Sequence, residues 1–497
     1  MAHSSVLISC GDTKLIMDPW LKGPAYNEQW FLWPLPVDKP EDLEVDAILI
    51  THGHEDHLHP ETLRAMKKDA HVFFSYQWRA GIKSFLNQIG FSEITEAVSF
   101  RTYEVKDVKI TYIGFSLESV VVVEYENEVL VNINDALNSN HENAVEFILK
   151  ELKLRWPKIT YLLSGWSGAS YFPNQVRYPG KNDEETGRLR EQYFANNFCR
   201  FVHRLQPNYA LPFASGFVLL YEENKWINHV KFLRTKTEEY YKAHYDTETT
   251  IQFPVLYPGD ELKEGRSLRI SPLHQVDESR QMDLAYKQYA MELKKANEVS
   301  IIGDAQVGQL LALLRYWVNF NRQIYHVRVT EDLSFSIRLR DCERLNYINL
   351  GFYNKQLLVQ RANAPLESRS VLIHTSAARM LLGLKKVWGG DLLTIGYGIT
   401  VEVYDQLTLE KNLDIVCIRL VTRYPIARQD LMKFPIRALK FYAYNPKLTS
   451  LWIKQKIVLK PYVNKYPYNE RDHWMNYNKC DLCAVCKMPE IDLAAYS

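Results

Sequence analysis

Apolar and polar positions alternate at the start of the chain. In SVLISCGDTKLIMD, residues 5–18, this pattern predicts two strands joined at Gly11-Asp12 and ending at Asp18-Pro19. An aromatic loop follows, WLKGPAYNEQWFLWPLP. DAILITH then runs apolar without alternation, as expected of a strand covered on both faces. HPETLRAMKK begins a helix with Pro60 in its first turn. The strand, loop, helix order recurs at AHVFFSY and RAGIKSFLNQIG, and two further strands end at Asp135. HENAVEFILKEL and NNFCRFVHRLQ read as helices, and ITYLLSG and YALPFAS as short buried strands. This mixture predicts a layered α/β domain over residues 1–225. Residues 226–300 read as a charged helical connecting segment, residues 301–465 as an α+β domain, and 466–497 as a tail.

Composition narrows the function classes. Lys and Arg number 60 against 59 Asp and Glu, giving a net charge of +1 over 497 residues. That balance gives no reason to expect a nucleic acid or an anionic membrane as partner. The longest apolar runs are too short to span a bilayer, and no signal peptide is evident. The seven cysteines do not suggest a disulfide framework, so a cytoplasmic location is expected.

The chemistry concentrates after the buried strand. In THGHEDHLHP, four histidines fall within eight positions, with Glu55 and Asp56 between them. His52 and His54 are two apart and share a face in extended backbone. Imidazole and carboxylate together suit iron or zinc. His52 and His54 on one ion, with Asp56 and His57 on a second, would make a two-metal centre.

THGHEDH resembles the HxHxDH signature of the metallo-β-lactamase fold, and MDPW the Asp-Pro that ends that fold's early hairpin. DPWLKGPAYNEQW, NINDALN, LLSGWSGASYFP and LQPNYALPFASGF are similar, in that order, to the catalytic region of the CMP-N-acetylneuraminate hydroxylase branch. The resemblance implies an αβ/βα sandwich followed by the C-terminal α+β domain, the latter weakly similar to a sterol-carrier module. It also implies that Asp135 bridges two ions and that Asp56 is catalytic. Two departures from the family pattern stand out. GFSLES occupies residues 114–119 where the fold supplies a further histidine, and YALPFAS ends without one. His3 and Glu118 are the candidates to complete the site, although for either residue an exposed, unattached side chain is the commoner outcome.

The loops near the strand ends are candidates for substrate contact. They are Trp30 and Trp33, and the segment Ser164, Gly165, Trp166, Ser167 and Gly168. In the tail, Cys480, Cys483 and Cys486 with His473 form a candidate second metal site, though idle thiols are the commoner reading. The family's hydroxylase carries a Rieske domain, recognised by paired Cys-His motifs, and none is expected in this sequence. The resemblance therefore implies an iron oxygenase, with one or two Fe ions, a small polar substrate that is sugar- or nucleotide-linked, and an external electron donor. A zinc hydrolase and a degenerate scaffold are the alternatives. A homo-oligomer is compatible with all three.

Overall fold

The computed structural model describes residues 2–451, apart from 77–80, 116–117, 139–141, 264–265, 299, 325–332, 354–355, 387–388, 406–407, 409–412 and 424–434. The cysteine tail, with His473, Cys480, Cys483 and Cys486, lies outside the described residues.

The first hairpin forms as the alternation predicts. Strands β1 (Val6–Cys10) and β2 (Thr13–Met17) pair antiparallel around Gly11, whose φ of +56° suits a residue without Cβ. A two-residue strand β3 (Phe31–Leu32) lies in the aromatic loop, and β4 (Ala47–Ile50) pairs parallel with β2. Helix α1 (Pro60–Ala65) starts where Pro60 favours it, and the His59 side chain caps its first turn by accepting from Thr62 N–H. Strands β5 (His71–Ser75) and β6 (Ile94–Ala97), with helix α2 (Gly81–Gln88) between them, complete a five-stranded sheet of order β1-β2-β4-β5-β6.

A second sheet follows. Strands β7 (Thr102–Val105), β8 (Val108–Phe115), β9 (Glu118–Tyr125) and β10 (Glu128–Asn134) form a meander. After helix α3 (Glu142–Arg155), β11 (Tyr161–Gly165) pairs parallel with β10. Beyond the short β12 (Val176–Arg177) and the long helix α4 (Asp183–Leu205), β13 (Tyr209–Phe213) pairs parallel with β11. A short strand β14 (Phe217–Val218) pairs with β3.

The side-chain period of two sorts these strands into layers. Leu15, Met17, Ala47 and Leu49 from one sheet meet Val121 and Val123 from the other in a core between the sheets. Their neighbours Ile16, Ile48 and Ile50 turn outward to Leu63 of α1 and Leu86 of α2. Val120 and Val122 turn outward to Ile148 of α3 and Phe198 of α4. Helices therefore cover both outer faces, which is the expected αβ/βα sandwich.

Part of the segment read as helical and connecting, residues 226–300, packs on the first domain. Phe232, Tyr240, Tyr241, Ile251 and Phe253 join the core beneath α4, where their apolar side chains are removed from water. Further on, a six-stranded sheet runs in the order β12, Thr400–Val403, Val371–Thr375, Ser334–Leu339, Tyr347–Tyr353 and Gln356–Ala362. Helices Asp304–Ile324, Ala377–Lys385 and Leu413–Val421 pack on it. Its edge strand is β12, drawn from residues the sequence assigned to the first domain. Two residues between loops carry no readable period. No helix among the described residues is long and apolar enough to cross a membrane.

Candidate metal centre

Side chains meet where β2, β4 and β10 end, at the mouth between the two central sheets. Strand ends are where open α/β sheets present chemistry. His52, His57 and Asp56 are buried, and His57 has no exposed surface. His57 Nε2 faces Asp56 Oδ2 at 3.2 Å and Asp135 Oδ2 at 3.6 Å and forms a hydrogen bond with neither. His52 Nε2 lies 3.8 Å from Asp135 Oδ2 and 2.7 Å from His54 Nδ1. The Asp135 carboxylate, 41% exposed, thus stands between the two rings.

His3 departs from the expectation of an exposed residue. It is 7% exposed, and its Nε2 is 2.9 Å from Asp56 Oδ2. The loop after β13, which carries no histidine, packs directly on it. A Cβ at Gly216 would lie 2.8 Å from His3 N. An imidazole from the N-terminus therefore arrives beside the strand end where the fold was expected to supply one. Two groups of donor atoms converge closely, His3 with Asp56 and His57, and His52 with His57 and Asp135. Glu118, the first residue of β9, is in neither group, and His59 serves as the α1 cap.

A second layer of side chains orients these rings. The fully buried Asp18 accepts four hydrogen bonds. They come from Thr51 N (2.7 Å), Thr51 Oγ1 (2.6 Å), His57 Nδ1 (2.9 Å) and Asn134 Nδ2 (3.0 Å). An ionised carboxylate only accepts, so His57 carries its proton on Nδ1 and Nε2 is left as the inward-facing donor atom. The Thr51 hydroxyl has one hydrogen, committed to Asp18, so it accepts from His52 Nδ1 at 3.0 Å. His52 Nε2 is thereby also left facing inward. Asp18 was legible in the sequence only as the end of a hairpin, and Thr51 and Asn134 carried no signal of their own.

The charges fit a cation-binding pocket. Burial, then the neighbouring His57 and His54, hold His52 well below the usual imidazole range, so it is neutral. Burial works against charge on His57, but Asp56 and Asp18 outweigh it and raise its pKa well above the usual range. Burial likewise opposes charge on Asp56, yet His57 and His3 keep it ionised far below the usual carboxylate range. Without an ion, His57 therefore holds a second proton on Nε2 as well as the one on Nδ1, and an ion bound at Nε2 would displace that proton and supply the positive charge itself. The nitrogen and oxygen donors suit iron or zinc.

The candidate substrate loops lie close by. A Cβ on Gly165 would sit 3.7 Å from Asp135 Oδ1, so this glycine borders the centre. Trp30 is buried and stacks on Phe217 at 3.7 Å, with its ring 6.1 Å from His3. Trp33 packs instead with Phe31 and Ala285. Ser164, next to last in β11, has its hydroxyl buried, and Trp166 donates to Phe232 O at 2.9 Å. Ser167 donates to the buried Glu191. A Cβ at Gly168 would overlap the Phe194 ring at 2.0 Å, so only glycine fits there.

Comparison with known proteins agrees with this architecture. Residues 1–137 match the family model of the beta-lactamase superfamily domain. The inactive cytidine monophosphate-N-acetylneuraminic acid hydroxylase of Homo sapiens is 27% identical over 288 residues, 54% of this chain and 54% of that protein. The cytidine monophosphate-N-acetylneuraminic acid hydroxylase of Pan troglodytes is 26% identical over 288 residues, 54% of this chain and 46% of that protein. The chain thus spans about half the length of these curated relatives. Among solved structures, CmlA, a diiron beta-hydroxylase from Streptomyces venezuelae, is 16% identical, with a TM-score of 0.36 over 54% of this chain and 53% of that one. The chain thus has the metallo-β-lactamase fold, is similar to the beta-lactamase superfamily domain over residues 1–137, and resembles the cytidine monophosphate-N-acetylneuraminic acid hydroxylases over 54% of its length.

Proposed function

We propose that the chain is a metal-dependent oxygenase acting on a polar, sugar- or nucleotide-linked metabolite. The observation that carries the metal is the buried His57 Nε2, turned inward by Asp18 and facing two carboxylates without a hydrogen bond to either. His52, His54, His57, Asp56, Asp135 and His3 would hold one or two ions. The choice of oxygenase rests on the relatives named as hydroxylases.

Iron held there would supply dioxygen chemistry, with electrons from an external donor. The residues of the chain do the rest. Asp18 and Thr51 fix the donor faces of His57 and His52, so little reorganisation accompanies binding. The wall of Trp30 and Phe217 keeps water from the His3 side. Asp135 is partly open and borders Gly165, where a substrate's polar end has room. Zinc suits the same donors, and with it the centre would be that of a hydrolase, lowering the pKa of bound water.

The test is oxygen uptake by iron-loaded protein with a chemical reductant, using cytidine monophosphate-N-acetylneuraminic acid as first probe and other sugar nucleotides beside it. Uptake that depends on both substrate and iron is expected. Hydrolysis of ester or phosphoester probes by the zinc form, without oxygen uptake by the iron form, would overturn the oxygenase.

A further inference from the structure

Tyr26 belongs to the aromatic loop, yet its role is not that of a loop aromatic. Its side chain is fully buried, and its hydroxyl donates to Asp56 Oδ1 at 2.5 Å. Asp56 Oδ2 is the oxygen that faces His3 and His57. The two carboxylate oxygens therefore divide their work. One is anchored by the phenol, and the other is presented to the donor cluster.

The tyrosine is itself held from several directions. Its backbone sits at φ +52°, a region most side chains avoid, and its N–H donates to Glu55 Oε2 at 2.9 Å. Its ring meets Trp30 edge-on at 4.8 Å. The remaining support comes from the C-terminal domain. Tyr26 shares a core with Ile395 and Tyr397, and a Cβ added at Gly396 would fall 2.9 Å from Tyr26 Cβ. Close approach of the two segments requires a glycine there. Lys386 also reaches across to Asn27 Oδ1 at 2.9 Å.

We infer that Tyr26 is a positioning residue for Asp56, and that the segment around Gly396 makes the C-terminal domain a supporting wall of the metal centre. This inference rests on the metal-centre reading above. Groups that fix a metal ligand set its affinity, and losing one costs about 10–100-fold.

The test uses the full chain. Wild type, Tyr26→Phe and Gly396→Ala are titrated with Co(II) and Fe(II) against a competing chelator, and the Co(II) absorption bands are recorded. Tyr26→Phe removes only the hydroxyl and keeps the ring against Trp30. It is expected to weaken one bound ion by about 10–100-fold and to shift the Co(II) bands. Gly396→Ala is expected to act in the same direction. A purely structural role would lower the melting temperature of the metal-free protein and leave affinity and bands unchanged. That result in Tyr26→Phe would overturn the inference while wild-type binding still upheld the centre. Unchanged affinity in Gly396→Ala, with Tyr26→Phe weakened, would overturn the domain's part alone. Absence of binding by wild type would overturn the underlying reading.

Discussion

Asp18→Asn probes the layer behind the metal ligands. The substitution keeps the shape of the side chain and removes its charge. Backbone strain does not confound it, since Asp18 sits at φ +41°, where Asn is at least as comfortable as Asp. Four hydrogen bonds converge on the carboxylate, and an amide can satisfy only some of them. With its NH₂ toward Thr51 N–H, two donors collide. With its NH₂ toward His57, the imidazole must accept at Nδ1 and carry its proton on Nε2, where an ion would bind. Either orientation damages the centre. Breaking a buried charged network by removing one partner costs about 3–5 kcal/mol. At roughly 2–4 °C per kcal/mol for a domain of this size, the melting temperature should fall by roughly 6–20 °C. Metal affinity should fall by about 10–100-fold. Chelator competition and calorimetry of the metal-free protein measure the two effects separately. Wild-type affinity together with a melting temperature within about 2 °C of wild type, under 1 kcal/mol, would refute the argument that Asp18 sets the His57 tautomer.

Other consequences are as direct. His54→Ala and Asp56→Ala should each abolish metal binding at their respective site and any activity with it, as measured by metal content per chain. Retained metal and activity in both would sink the ligand assignment. Deleting residues 479–497 should leave the main centre loaded, and loss of all metal on that deletion would refute its placement at the strand ends. A third effect concerns pH. Burial alone would raise Asp260, but N–H donors from Ser271, Tyr257 and Ile270 and the His274 side chain lower it below the usual carboxylate range. The unfolded chain takes up this proton first as pH falls, so the stabilisation is complete above the ordinary carboxylate pKa and lost as pH falls through the folded one. Asp260→Asn should flatten the rise of stability with pH below about 4, the ordinary aspartate pKa. An unchanged slope in denaturant titrations would count against this.

What the sequence disclosed and what it hid differ in range of contact. Alternation in residues 5–18 and the apolar run at 47–50 marked strands whose faces the structure sorts as the period requires. The spacing of His52, His54, Asp56 and His57 marked a site because neighbours in the chain stay neighbours at a strand end. His59 belonged to the same cluster on paper, but the following Pro60 starts a helix and turns it into a cap. His3 reaches Asp56 from 53 residues away and Tyr26 from 30, contacts that no local pattern records. Trp30 and Trp33 were readable as an aromatic loop, whereas their separation into two cores depends on β14 and the helices of residues 281–296.

The central claim is that this histidine and carboxylate cluster is an iron centre. Elemental analysis of protein purified without added metal, joined to Mössbauer spectroscopy of iron-57-enriched material, tests it most directly. The account predicts one or two irons per chain, bound by nitrogen and oxygen ligands, with the iron at the Asp56 site lost in Asp56→Ala. Stoichiometric zinc that iron cannot replace under anaerobic reconstitution would contradict the oxygenase. No metal above background after reconstitution would contradict the centre itself.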